Sequence, residues 1–576
     1  MPATTPPSAP LSYVAPGSPW LDDLCIGQVL AQQAKRYPRH DALVFPHLGL
    51  RWTYAEFDAQ VDRVARALLA LGLRPGDHLA VWATNVPEWV FLQFASARVG
   101  VVLVTINPAY RPFELRYVLK QSDAQALFLI DAYKKSDYFG MLAEVCPEIM
   151  QPAAGLLENV EFPRLKSVVA LREGVTNRPA GIQSWNDFLA AGERTTPARL
   201  QEIEASLRPG DPINIQYTSG TTGFPKAAML SHRNLLLNVY YAGQALNYTA
   251  ADRICIPVPF YHCFGCVLGT LCAVAHGAAM IIPAESFDPG ATLQSIEAER
   301  ATSLYGVPTM FIAQLHNPSL QARDLTSLRT GIMAGSPCPI ETMRCVVEEM
   351  HCPEITIGYG QTEASPLITQ TTVDDPLELR VETVGRAFPG VEVKIIDPAT
   401  GDILPDGQPG ELCSRGHNTM LGYYNQPEAT AAAIDAEGWL HTGDLAIRLP
   451  NGYFKITGRI KDMVIRGGEN IYPREIEEYF FTHPAIEQAS VVGVPDPKYG
   501  EELCAWIKLK SGYAAGADLT EEQVRDFCRG KLAHYKVPRY VRFVQAFPQT
   551  VTGKIQKFKI REQMCAELGL CEQKTA

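Results

Sequence analysis

The sequence predicts an α/β protein. It has a large N-terminal domain of βα-layered sheets carrying a small antiparallel β subdomain, then a small mobile C-terminal α+β domain. Three observations predict this. From Thr53 to Ala334, apolar runs of strand length alternate with amphipathic stretches of helical period, the signature of parallel βαβ units. Near Pro389 the texture changes to short strands broken by Asp, Gly and Pro turns. Beyond Gly458 a glycine-rich joint, Arg466-Gly-Gly-Glu469, opens a compact tail. A chain of 576 residues is too long for one core of ordinary size. The expected division is an N-terminal arm over 1–23, a large domain over 24–458 and a C-terminal domain over 459–576.

The arm is rich in Pro, Ala, Ser and Thr and is expected to be mobile. No Lys or Arg precedes Lys35, so neither a secretory signal nor an Arg-rich transit peptide is expected, and the expected compartment is the cytoplasm. Thr53-x-x-Glu56 is a capping box. Phe57, Val61, Val64, Ala65 and Leu68 then recur at helical spacing up to Gly72. Leu79–Trp82 and Val101–Val104 read as strands around a helix over Val86–Arg98. Ile213–Tyr217 reads as a strand and Leu230–Ala245 as a helix. Strands follow at Ile254–Val258, Ala279–Ile282, Thr302–Tyr305 and Thr330–Ala334, with a helix over Pro289–Arg300.

Phe264–Pro283 imitates a membrane span, with only His276 ionisable. Its three glycines and lack of basic flanks favour a buried helix followed by a buried strand, and no transmembrane segment is expected. Val391–Ile396, Gly410–Ser414 and Tyr453–Ile456 are the short strands of the subdomain. The tail reads as a helix over Pro473–Phe481, strands at Ser490–Val494 and Leu503–Leu509, and a helix over Thr520–Leu532.

Hydrophobic content of 47% with 20% charged residues marks a globular chain, and a net charge of −11 argues against a nucleic-acid partner. Fourteen scattered cysteines form no disulfide framework and are expected as reduced thiols. Cys263 and Cys266 make the one C-x-x-C pair. No second pair at zinc spacing accompanies it, so both read as packing residues.

Five stretches carry chemistry. Tyr217-Thr-Ser-Gly-Thr-Thr-Gly-Phe-Pro-Lys226 combines the hydroxyls of Thr218, Ser219, Thr221 and Thr222 with Gly220, Gly223 and the charge of Lys226. Glycines let backbone N–H groups approach an anion, so this loop suits phosphate. Its spacing is not that of the Gly-x-x-x-x-Gly-Lys-Ser/Thr loop. Gly358-Tyr-Gly-Gln-Thr-Glu363 offers a ring that can stack on a base and a carboxylate that can hold Mg2+. Gly438-Trp-Leu-His-Thr-Gly-Asp444 ends in an Asp able to accept from both hydroxyls of a ribose. The last two are Gly458-Arg-Ile-Lys-Asp462 with Gly467-Gly-Glu469, and Thr550-Val-Thr-Gly-Lys-Ile-Gln-Lys557. Each alone is weak: Asp444 also fits a turn, Tyr359 a core aromatic and Lys554 a solvated surface.

Together, in this order, they resemble the adenylate-forming superfamily of acyl-CoA synthetases, peptide-synthetase adenylation domains and luciferases, from about Leu24 to Glu567. Tyr261-His-Cys-Phe-Gly265, Gly467-Gly-Glu-Asn-Ile-Tyr-Pro473 and Thr552-Gly-Lys-Ile-Gln-Lys557 resemble the medium-chain branch that includes acyl-CoA synthetase family member 2. The resemblance implies ATP, Mg2+ and coenzyme A as partners of a small carboxylic acid, in two steps. The carboxylate attacks the α-phosphate to give an acyl-adenylate, and a thiol then displaces AMP. It implies that Lys554 neutralises the approaching anions, Thr362 bonds the α-phosphate, and Thr218 and Glu363 hold Mg2+. The loop Thr218–Lys226 would hold the β- and γ-phosphates. Tyr359 would stack on adenine, Asp444 and Arg459 would hold the ribose, and Gly335, Ser336 and Gly360 would line the site. Lys461 would be the hinge about which the C-terminal domain turns, Gly467 and Gly468 would line the thiol path, and His262 would stand between acyl and thiol sites.

The family usually has glycine after the loop lysine, where this chain has Ala227. Pro548-x-x-x-x-Gly553-Lys554 also resembles a context for acetylation of Lys554 by a lysine acetyltransferase. Phe260, Phe264, Tyr305, Val307, Met310 and Pro366 are expected around the acyl group, with Gly335 and Gly360 leaving depth. No Lys or Arg stands among them, which favours a monocarboxylic acid, medium-chain fatty acids first. The rival readings are an adenylating enzyme that loads an acyl-carrier protein, a luciferase-type oxidation and an inactive nucleotide-binding scaffold. A homodimer is the candidate assembly.

Overall fold

The computed structural model describes residues 11–151, 157–172, 174–175, 177–218, 225–336, 338–466, 469–529, 531–550 and 553–570, the side chains of Glu469 and Asn470 excepted. Two large sheets form the body of the molecule. In one, Pro212–Thr218, Val102–Ile106, His78–Trp82, Ala126–Leu129, Ser167–Ala170 and Gln183–Ser184 lie side by side and parallel. In the other, Glu354–Gly360, Thr330–Met333, Ser303–Gly306, Arg253–Cys255, Ala279–Ile281 and Asp41–Phe45 form the parallel core. Parallel strands covered on both faces are near-continuous apolar runs, and His78–Trp82 and Val102–Ile106 are buried at every position, with only His78 and Thr105 polar. The helix Pro87–Val99 is buried nearly all round. It lacks the polar face of a surface helix because it lies inside the body of the domain.

Phe264–Leu271 winds as a π-helix, continues as the helix Cys272–His276 and feeds the strand Ala279–Ile281. All three segments are wholly or largely buried, and no described helix is long and apolar enough to cross a membrane. Every described cysteine is a free thiol, and Cys263 and Cys266 are both buried.

Val391–Ile396, Gly410–Gly416, Leu440–Arg448 and Phe454–Arg459 make an antiparallel four-stranded sheet whose core is continuous with the large domain. A separate apolar core begins at Val464. It sits under the antiparallel pair Ile486–Asp496 and Gly500–Leu509, with Tyr540–Phe543 parallel to the latter.

Three expectations need correction. The segment over Lys226–Ser231 is a strand, and the helix starts at His232. Its pairing with Pro212–Thr218 on one side and Gly422–Tyr423 on the other outweighs a helix-tolerant composition. The two described ends of the phosphate loop, Thr218 and Lys226, are therefore paired across antiparallel strands, and Ala227, fully buried in the second of them, takes a methyl group without difficulty. The helix expected to reach Leu532 spans only Glu521–Cys528, because Arg529 is extended. The arm is fastened from its first described residues. Ser12 and Val393 exchange backbone hydrogen bonds at 3.0 Å, and Gly390 N–H donates to the Val14 carbonyl at 2.7 Å. Leu21 is fully buried, and Asp22 accepts from Arg233 Nε at 2.6 Å.

Candidate active site

The parallel strands deliver the site residues at their carboxyl ends, where open α/β sheets leave a crevice. Thr218 ends Pro212–Thr218, Gly306 ends Ser303–Gly306, Gly335 and Ser336 follow Thr330–Met333, and Tyr359 and Gly360 end Glu354–Gly360. Gly335 has φ +88°, a conformation that favours glycine, which lets the chain turn sharply off its strand.

The first grouping is Thr218, Glu363, Tyr423 and Lys226. The Thr218 hydroxyl donates to Glu363 Oε1 at 3.1 Å, and the Tyr423 hydroxyl donates to the same oxygen at 2.8 Å. Glu363 is buried, and its carbonyl accepts from Met420 N–H at 2.9 Å. The Lys226 ammonium lies 4.9 Å from the centre of the Tyr423 ring. A carboxylate and a hydroxyl make an all-oxygen donor set, which suits a hard divalent cation that keeps its other ligands from phosphate and water. Tyr423 escaped sequence reasoning; an aromatic pair after Gly422 was the available signal.

The second grouping is Tyr359, Asp444 and Arg459. Asp444 and Arg459 face each other across adjacent antiparallel strands. Arg459 Nε donates to Asp444 Oδ1 at 2.6 Å, and the Tyr359 hydroxyl donates to Oδ2 at 2.9 Å. Asp444 holds the Arg459 guanidinium charged, its pKa raised above the usual value. Burial, reinforced by Asp444, drives the Tyr359 phenol well above its ordinary range. Behind this pair stands a group missed by reading cysteine spacing alone. Glu411 takes Gly443 N–H at 3.0 Å through Oε1 and meets His441 Nδ1 at 3.0 Å through Oε2, with Cys413 Sγ 3.5 Å from that nitrogen. These ligand atoms lie within 4.8 Å of one another. Glu411 is spent on the backbone and on His441, so the group braces the turn that carries Asp444.

The third grouping brings the C-terminal domain in. Lys554 is exposed at the edge of the site and has charged groups around it: partial desolvation and then Arg459 lower its pKa, while Asp444, Asp462 and Glu363 hold it up. His262 is pushed down to about 4 by burial, with Lys554 adding to the shift. Its Nδ1 accepts from Phe264 N–H at 3.2 Å, so the neutral ring carries its proton on Nε2. Cys263 Sγ lies 3.6 Å from the hydroxyl of Thr362, which is itself buried. Lys461 is exposed in the short turn Ile460–Asp462 that leaves the four-stranded sheet. Its pKa is lowered by partial burial first, then by Lys226 and Arg459.

Gly360 has a different use from the one expected. A Cβ there would stand 2.0 Å from the Pro366 carbonyl oxygen, so the missing side chain admits neighbouring backbone and leaves no depth for an acyl group. Ser219, Gly220, Thr221, Thr222, Gly223, Gly467 and Gly468 lie outside the described residues.

The family description AMP-binding enzyme matches residues 30–424, and that of the AMP-binding enzyme C-terminal domain matches 475–554. The chain belongs to this family. It is an acid–thiol ligase of the acyl-CoA synthetase type. It is 50% identical over 538 residues to YngI of Bacillus subtilis (strain 168), which carries the name of an acyl-CoA synthetase; the match covers 93% of this chain and 96% of that protein. It is 44% identical over 571 residues to the medium-chain acyl-CoA ligase ACSF2, mitochondrial, of Danio rerio, covering 98% and 93%. The fold is similar to that of the anthranilate CoA ligase AuaEII solved with anthranoyl-AMP, with a TM-score of 0.83, 25% identity and coverage of 95% and 98%.

Proposed function

We propose that this chain joins a monocarboxylic acid, a medium-chain fatty acid first, to coenzyme A at the expense of ATP, through an acyl-adenylate, releasing pyrophosphate and then AMP. The observation that supports the reading is the packing of Gly553, in the C-terminal domain, against Thr309 and Val307 of the large domain, which leaves the neighbouring Lys554 within electrostatic reach of Arg459, Asp444, Glu363 and His262. A carboxylate and a polyphosphate repel each other, so adenylation needs fixed positive charge where they meet. Lys554 supplies it, Thr362 bonds the α-phosphate, and the loop from Thr218 to Lys226 holds the outer phosphates. Tyr359 stacks on adenine, and Asp444 with Arg459 takes the ribose hydroxyls. Mg2+ bound at Thr218 and Glu363 would supply further neutralisation of phosphate charge.

For the thiol step Lys554 must withdraw. Lys461, in the turn between the two cores, is the hinge, and Gly467 and Gly468 then line the pantetheine path. His262, neutral at physiological pH, stands between acyl and thiol without a charge to trap either. Phe264 and Tyr305 stack at 5.6 Å, and both are buried, as are Phe260 and Met310; these apolar side chains suit an aliphatic acid. The resemblance of the chain to ACSF2 supports the medium-chain choice, and the cytoplasm is the proposed compartment. The test is release of AMP and formation of a thioester with ATP, coenzyme A and a panel of acids. Thioester peaking at medium chain length is expected. Adenylate without a coenzyme A thioester would favour an acyl-carrier acceptor, and no consumption of ATP would overturn the reading.

A further inference from the structure

We propose that the first turn of the helix Pro308–Leu315, with Thr309 at its head, is the seat on which the Gly553–Lys554 turn docks for adenylation. Thr309 is thereby a positioning residue that acts through Lys554. The inference rests on the function proposed above and adds a residue that none of the five motifs contains.

Gly553 has φ +79°, and a Cβ built on it would stand 2.4 Å from Thr309 Oγ1 and 3.4 Å from Val307 Cγ2. Val307 also meets the large domain's own turn: a Cβ on Gly335, at φ +88°, would lie 3.1 Å from Val307 Cγ1. One valine is thus held between two left-handed glycines, one from each domain. Thr309 is half-buried and stands two residues further along the same backbone turn. The next residue after Gly553 is Lys554, so the clearance at Thr309 sets how deep the ammonium reaches toward Asp444 and Glu363. A side chain added on either face of this contact holds the two backbones apart and draws Lys554 out. The contact belongs to the posture in which Lys554 is in the site. It is absent once the lysine withdraws, so the thiol step does not depend on it.

The test is a double-mutant cycle on the full chain, read by ATP–pyrophosphate exchange and, separately, by thioester formation from supplied acyl-adenylate and coenzyme A. Gly553→Ala should lower exchange roughly 100-fold, the cost of moving a reacting group by about 1 Å. Thr309→Ala removes the hydroxyl that the new methyl strikes. Added to Gly553→Ala, it should restore exchange about tenfold, a coupling expected only for residues in contact. Recovery stays partial because alanine remains strained at a left-handed φ. Thr309→Phe fills the same gap from the other domain and should depress exchange alone, with thioester formation kept within about threefold at unchanged Tm. Equal exchange in Gly553→Ala and the double variant overturns the inference, and so does a parallel fall of both half-reactions in Thr309→Phe. Wild-type protein that shows no exchange with any acid would sink the proposed function instead.

Discussion

Replacing Gly360 by alanine separates two uses of one glycine. The new Cβ would stand 2.0 Å from the Pro366 carbonyl oxygen and 2.9 Å from Leu367 Cα, both backbone atoms that cannot swing aside. Contacts under 3.0 Å essentially never occur at a Cβ, so the strands Glu354–Gly360 and Leu367–Gln370 must part by about 1 Å. Their register already slips between Tyr359 and Gly360, which leaves little further room to adjust. Overpacking of this kind costs about 1–3 kcal/mol of stability. Tyr359, one residue away, moves with the strand and weakens the grip on nucleotide, for which roughly 100-fold in kcat/KM for ATP is the expected scale. The assays are thermal unfolding and initial rates with ATP varied at fixed acid, then a profile over acid length. A lower Tm with impaired ATP kinetics and an unchanged length profile is expected. Intact Tm and ATP kinetics with a shift to shorter acids would refute the argument, because that is the behaviour of a glycine that gives depth to an acyl pocket.

Lys554→Ala should lower adenylation about 1000-fold, the worth of one charge interaction at close range in a partly screened site, yet spare thioester formation from supplied adenylate. Acetylated Lys554 should behave alike, and loss of both half-reactions would mean that the lysine serves both postures. Asp444→Asn leaves Arg459 and the Tyr359 hydroxyl without their charged acceptor, and KM for ATP should rise about 10- to 150-fold, from a lost charged hydrogen bond of about 1.5–3 kcal/mol. A rise in KM for the acid alone would count against that assignment. His232 is fully buried and accepts from Ile26 N–H at 3.2 Å, and burial pushes its imidazole from 6.5 down to about 3. The fold keeps the neutral ring, so its contribution is whole above the unfolded value and is lost as pH falls toward the folded one. The slope is about 1.4 kcal/mol per pH unit, or roughly 2 kcal/mol by pH 5. Urea unfolding at pH 7 and pH 5 should show a shallower acid loss for His232→Gln, and an equal loss would exclude His232 as the source.

The family was legible because five short motifs each hold glycines, hydroxyls and charges in an order that recurs across nearly the whole chain, and the similarity to YngI and ACSF2 agrees with it. The alternation of strands and helices was legible from period where a helix keeps a polar face, as at Tyr54–Ala70, and from length and flanking residues where an element is buried all round, as at His78–Trp82 and Pro87–Val99. What escaped is what distant partners decide. Lys226–Ser231 is a strand because two neighbours pair with it, which no local propensity records. Tyr423 meets Glu363 from 60 residues away. Glu411, Cys413 and His441 converge because two antiparallel strands bring every second residue to one face, a proximity invisible to spacing along the chain. Gly360 looked like space for substrate, because a sequence names a missing side chain but not the neighbour that uses the gap.

The bond between Ser12 and Val393 also bears on solubility. Val391–Ile396 is the outermost strand of the four-stranded sheet, and an outer strand with free N–H and C=O groups is a template for other chains. The arm occupies the middle of that template at Val393, Leu404 N–H donates to the Ile395 carbonyl beyond it, and Leu21 and Asp22 tie the arm's far end to the body of the domain. Trimming the chain as far as residue 23, as a cautious expression design would do with a proline-rich leader, would uncover the strand. Such a shortened protein would then be prone to pair edge to edge with its own copies before any catalytic residue had been touched.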